Sequence, residues 1–172
     1  MKETMLQAAV LVLFPALMIF AAVSDLFTMT ISNRVSIALV LIFIPLAYFS
    51  GMAPTDIAVH LAIGFAILVV TFGMFAFGWI GGGDAKLAAA TAIWVGWDRL
   101  ADYGLDAALT GGLLTLCILQ LRRWPLPVWA HNVQWLPRLH DRNADVPYGI
   151  ALAAAGLFVY PETHLWTAAL AG

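Results

Sequence analysis

Six apolar runs punctuate the chain, at about residues 5–24, 35–52, 57–78, 85–97, 105–121 and 147–160. A helix needs about 20 residues to cross a hydrocarbon core roughly 30 Å thick, so the first, second, third and fifth runs predict comfortable spans. The fourth and sixth are short. The fourth reaches span length by taking in Gly83 and Leu100, the sixth by passing Pro161 into the apolar tail at Leu165-Trp166. The pattern therefore predicts an all-α integral membrane protein, a bundle of about six transmembrane helices in a single domain over 1–172. Pro15 is expected to kink the first helix. Ser32 and Asn33 are candidate caps for the second. Gly64, Gly73, Gly111 and Gly112 are expected at close helix contacts. The short link at Gly51-Met52-Ala53-Pro54 predicts an antiparallel pair of the second and third helices.

Composition agrees with that reading. Of 172 residues, 63% are hydrophobic and 10% charged, against about 25% charged in soluble domains, and mean hydropathy is +0.92. A net charge of −2 offers no basic face for nucleic acid. The single cysteine, Cys117, excludes an internal disulfide and reads as a small buried apolar residue. The first run is long and ends in Ser24-Asp25-Leu26-Phe27 without a small-residue cleavage site, so it reads as a retained helix.

Charge placement gives an orientation. With the N-terminus outside, the cytoplasmic connections carry Arg34, Lys86, Arg122, Arg123, Arg138 and Arg142, leaving only Lys2 and Arg99 outside. That bias predicts both termini on the periplasmic side. The long stretch 122–146, with tryptophans among arginines, reads as a passive segment at the headgroup level or as a flap over substrate.

Under this topology Asp25 closes the first helix and Asp84 opens the fourth, the two acids placed at helix ends on the cytoplasmic face. Two adjacent carboxylates share a proton, so one can take a proton from water while the other donates one to a carbonyl oxygen, which is the logic of aspartyl proteolysis. Gly81, Gly82 and Gly83 would let an extended peptide backbone approach Asp84. The same stretch also suits a tight turn with a capping aspartate. Lys86 would either lower the Asp84 pKa or meet lipid phosphate. His60, His131, His140 and His164 are scattered without metal-ligand spacing, and no zinc-hydrolase or serine-hydrolase motif occurs, so neither metal nor cofactor is expected.

Gly81-Gly82-Gly83-Asp84-Ala85-Lys86 resembles the G-x-G-D signature of intramembrane aspartyl peptidases, in the form found in type IV prepilin peptidases. Ser24-Asp25 with Ile31-Ser32-Asn33 resembles that family's first catalytic aspartate and following turn, with Ser32 in place of the usual proline. Val146-Pro147-Tyr148-Gly149-Ile150-Ala151 resembles its final-helix motif. The size, without an N-terminal domain of paired C-x-x-C motifs, looks like the short tight-adherence (Flp-type) branch.

The resemblance implies an aspartic-type endopeptidase of the bacterial inner membrane. It would remove the short basic leader of a prepilin at the cytoplasmic face. Asp25 and Asp84 would be the catalytic pair, and Gly81, Gly83, Lys86, Asn33, Pro147 and Tyr148 the substrate-binding or site-shaping residues. The partners implied are a Flp-type prepilin and the lipid bilayer. Methyl transfer, which the longer members perform, is left open by the resemblance, and no methyl-donor site is recognisable. The competing expectations are a proton-coupled transporter or pilus-assembly scaffold using the same acids, and an aspartyl peptidase acting on preflagellin or other signal peptides.

Overall fold

A computed structural model describes residues 2–127, 133, 135–142 and 144–171. It contains α1 (Lys2–Thr28), α2 (Asn33–Phe49), α3 (Pro54–Ala76), α4 (Gly82–Leu121), α5 (Leu136–His140), α6 (Tyr148–Val159) and α7 (His164–Ala171), with a 3-10 turn, Tyr160–Glu162, between the last two. Among the described residues no strand occurs. α1, α3 and α4 are long and apolar enough to cross a membrane, and α2 is a shorter apolar helix. Their outer faces stay apolar: Phe65, Val69 and Phe72 on α3 and Leu109, Leu113 and Leu116 on α4 are all exposed. A surface of that kind is unsuited to water and matches hydrocarbon.

At 40 residues α4 would be about 60 Å long if straight, twice the hydrocarbon core. It is not straight. Gly96 leaves helical geometry, with φ 72° and ψ 179°, a conformation that favours glycine. Contacts with α6 show what the break does. Before it, Gly156 abuts Thr91. After it the order runs backward: Tyr103 clusters with Ala155 and Val159, the Thr110 hydroxyl donates to the Ala151 carbonyl at 3.2 Å, and Gly111 faces Tyr148. The fourth and fifth apolar runs are thus two antiparallel arms joined at one glycine. The predicted polar connection beyond residue 97 is helical instead, with Arg99 paired to Asp102 at 3.2 Å and Glu162 at 2.6 Å.

The first arm is the central pillar. Ala85 and every residue from Leu87 to Gly96 are buried, because the run of alanines lets α3, α6 and α2 close around it. Far from Asp84, Phe14, Phe43, Trp94 and Tyr160 form a packed aromatic knot, with Phe14 4.3 Å from Tyr160 and 5.0 Å from Trp94 between ring centroids. Trp94 Nε1 donates to the Leu39 carbonyl at 3.0 Å and the Tyr160 hydroxyl to the Val10 carbonyl at 2.7 Å. The buried polar tips of both rings are therefore satisfied. His60 locks the reversal. Its Nδ1 lies 2.7 Å from the Ile93 carbonyl, and a Cβ on Gly96 would come within 2.5 Å of its ring.

Several local expectations change. Ser32, not Asn33, is the N-cap of α2, accepting from the Arg34 amide at 3.3 Å. Gly64 meets Ile93 and Gly111 meets Tyr148, but Gly73 and Gly112 face open space. α2 leans on α4 more than on α3, since the alanine-rich pillar offers the closer approach. Cys117 is exposed, on the outward face of the second arm of α4. The sixth run stops at Val159, where Pro161 enters the 3-10 turn, and the tail restarts as α7.

Candidate active site

Asp25 lies in the last turn of α1, and it is 5% exposed. Its carboxylate Oδ2 accepts the Gly149 amide of α6 at 2.8 Å. Pro147 is the N-cap of α6 and has no capping side chain of its own, so Asp25 satisfies one of the amides that a helix start leaves open. A side chain at residue 149 would force its neighbours to move. A Cβ there would sit 2.7 Å from Asp25 Oδ2 and 2.6 Å from Ile31 Cδ1.

Asp84 stands in the first turn of α4, half-buried. Its carboxylate folds back toward the Gly81 backbone, where a Cβ would meet Oδ2 at 2.8 Å. Gly83 makes a different contact, with Ile31, whose Cβ would be 3.2 Å from a side chain at residue 83. Ile31 is therefore wedged between Gly83 of α4 and Gly149 of α6. One buried side chain sets the spacing of the helix ends that carry or hold the two acids.

Both carboxylates open into a cavity of about 670 Å³. Met29, Trp79, Gly81, Pro147 and Tyr148 contribute to its walls, and Arg138 and Asp145 add charge of both signs. Asp84 lies within Coulombic range of both Asp25 and Asp145. Met29 takes a positive φ of 53° where α1 ends, and its amide bonds back to the Asp25 carbonyl at 2.8 Å; this left-handed residue closes the helix so that the chain turns beneath the cavity. The Tyr148 hydroxyl pairs with Thr115 Oγ1 at 3.1 Å, tying the α6 start to the second arm of α4.

The other sequence candidates are elsewhere. Lys86 Nζ donates to Asn33 Oδ1 at 2.8 Å, and both line a separate apolar groove among α2, α3 and α4 rather than the cavity with the acids. A residue two positions after Asp84 on a helix points about 200° away, which explains the separation. His60 and His164 line a cavity with Asp56 and Asp98 at the opposite end, His140 is beside the site-end loop on α5, and His131 lies outside the described residues. Among the described residues no three His, Cys, Asp or Glu side chains converge as a metal set requires. Missed in the sequence were Gly149, Ile31 as a wedge, and Arg138 and Asp145 as wall residues. The quoted Val-Pro-Tyr-Gly stretch held the signal for the first of these: a glycine just inside a helix start marks a close approach.

A family model describing the type IV leader peptidase family matches residues 12–119. The chain belongs to the type IV leader peptidase family. The matched stretch contains Asp25 and Asp84 and ends before α6, so Gly149, which bonds Asp25, lies beyond the matched residues. No match emerged among curated proteins or among solved structures. Family and fold together make the chain a peptidase-family member with the helices of a multi-pass membrane protein.

Proposed function

We propose that this leader peptidase family member is an aspartic-type endopeptidase with Asp25 and Asp84 as its catalytic pair. The observation that carries the proposal is the shared cavity: carboxylates from two different helices open into one space large enough for an extended peptide. One carboxylate, ionised, takes a proton from a water whose oxygen attacks the scissile carbonyl carbon. The other, protonated, gives its proton to the carbonyl oxygen. Collapse of the tetrahedral intermediate breaks the C–N bond, and the proton taken from water passes to the leaving amine. A hydroxyl of the intermediate returns a proton to the second carboxylate as the C=O bond re-forms.

The substrate in this reading is a Flp-type prepilin, cut between its basic leader and the apolar helix that follows. Asp145 gives the cavity a third carboxylate beside the pair, which suits a cationic leader. The basic residues Arg34, Lys86, Arg122, Arg123 and Arg138 fall at the same end as the acids, which favours a cytoplasmic site in the inner membrane, six crossings and periplasmic termini. Gly81 would let the peptide backbone approach Asp84. Pro147 and Tyr148 would form the wall that faces the leader. Gly83 shapes the site through Ile31, and Lys86 with Asn33 acts on the neighbouring groove.

Asp84→Asn tests this directly. In membranes carrying the variant and a prepilin, cleavage should fall by about 10²–10⁴-fold, the range for loss of a general acid or base, while the protein still accumulates as a folded species. Cleavage at the normal rate would sink the mechanism.

A further inference from the structure

Arg122 follows α4 and is 7% exposed. A buried guanidinium is costly unless its donors are met. Here three hydrogen bonds go to main chain. Nε donates to the Leu139 carbonyl at 2.9 Å, and Nη2 to the carbonyls of Ala144 and Asp145 at 2.9 and 3.3 Å. Positive-inside counting treats Arg122 as one solvated charge among six, yet three carbonyls, one from α5 and two from the link into α6, are gathered around it.

That link leads straight into the site. Asp145 and Val146 line the cavity, Pro147 caps α6, and two residues later the Gly149 amide meets Asp25. Arg122 itself is not among the residues lining the cavity. Its bonds fix where the chain enters α6, and the entry fixes the donor that orients the Asp25 carboxylate. We infer that Arg122 is a positioning residue for Asp25, tying the end of α5 to Ala144 and Asp145 so that the Gly149 amide is presented to the carboxylate.

The planar fork matters. Guanidinium donors lie in a fixed plane and can serve carbonyls on two sides, whereas a lysine ammonium is a compact point charge on a flexible stem. Charge alone is therefore not enough, and lysine at residue 122 does not rescue. This inference rests on the peptidase reading for its catalytic arm only.

The experiment uses the full-length protein with Arg122→Lys and Arg122→Gln, comparing hydrogen exchange and cleavage kinetics. In both variants, amide exchange in a peptide covering 146–150 should accelerate about tenfold or more, with α2 and α3 peptides unchanged. The kcat on a prepilin should fall about tenfold or more, with KM within about threefold. A lysine variant that keeps kcat within about twofold, a kcat loss without faster exchange at 146–150, or faster exchange throughout the bundle would each overturn the assignment. Should Arg122→Gln fail to fold, the milder lysine variant decides alone. Should the wild-type protein leave the prepilin uncut, the peptidase reading fails by itself and the exchange arm still decides whether Arg122 fixes the Gly149 amide.

Discussion

The two ends of the bundle solve the same packing problem in opposite ways. At the far end, α1, α2, α4 and the turn after α6 are filled by Phe14, Phe43, Trp94 and Tyr160, and the polar tips of Trp94 and Tyr160 close onto main-chain carbonyls. At the acid end, α1, α4 and α6 meet through glycines at 83 and 149 and one isoleucine, and the space beyond is a cavity. Large rings give the first end its cohesion. Missing side chains give the second its opening. The difference separates two jobs along the same helices, with stability held by the knot and geometry held by the Ile31 wedge.

Truncating the knot should have the largest effect on stability. Trp94→Ala is expected to cost about 3–5 kcal/mol, read from thermal or denaturant unfolding of the purified protein. The fraction that remains folded should still cut substrate, and a folded but inactive variant would show that the ends are not separable. Gly149→Ala reverses the pattern. Its Cβ collides with Asp25 and Ile31, so a stability loss of about 1–3 kcal/mol should come with a far larger fall in cleavage. Retention of wild-type kcat by that variant would remove the wedge from the account. The smallest change is expected at Met29→Gly, where relief of the left-handed conformation offsets the added chain entropy to within about 1 kcal/mol. A larger loss in the unfolding midpoint would mean that the methionine side chain itself supports the cavity wall.

Much of this organisation is visible in the sequence, for identifiable reasons. The apolar runs follow from hydropathy, and an aspartate at the edge of each of two such runs is conspicuous because charge there is costly. What hydropathy cannot rank is the face a residue occupies. Lys86 lies two residues from Asp84 in sequence, yet it bonds Asn33 across another groove. Gly149 and Asp25 are 124 residues apart, and no local pattern reports a bond over that distance. Arg122 was legible as a charge and not as a brace, because counting basic residues carries no information about burial. The helix reversal was legible as two runs, but its compression into Gly96 depends on His60 and Phe43 packing from other helices, with ring centroids 5.3 Å apart.

The turn at Gly96 also bears on how the site can be reached. Because α4 folds back there, residues 82 and 121 return to one end, and every residue lining the acid cavity comes from the helix ends and links at that end. The opposite end contributes no wall to it. In a sealed vesicle, a charged reagent that cannot permeate lipid would then meet Asp84 from one compartment and be blind to it from the other.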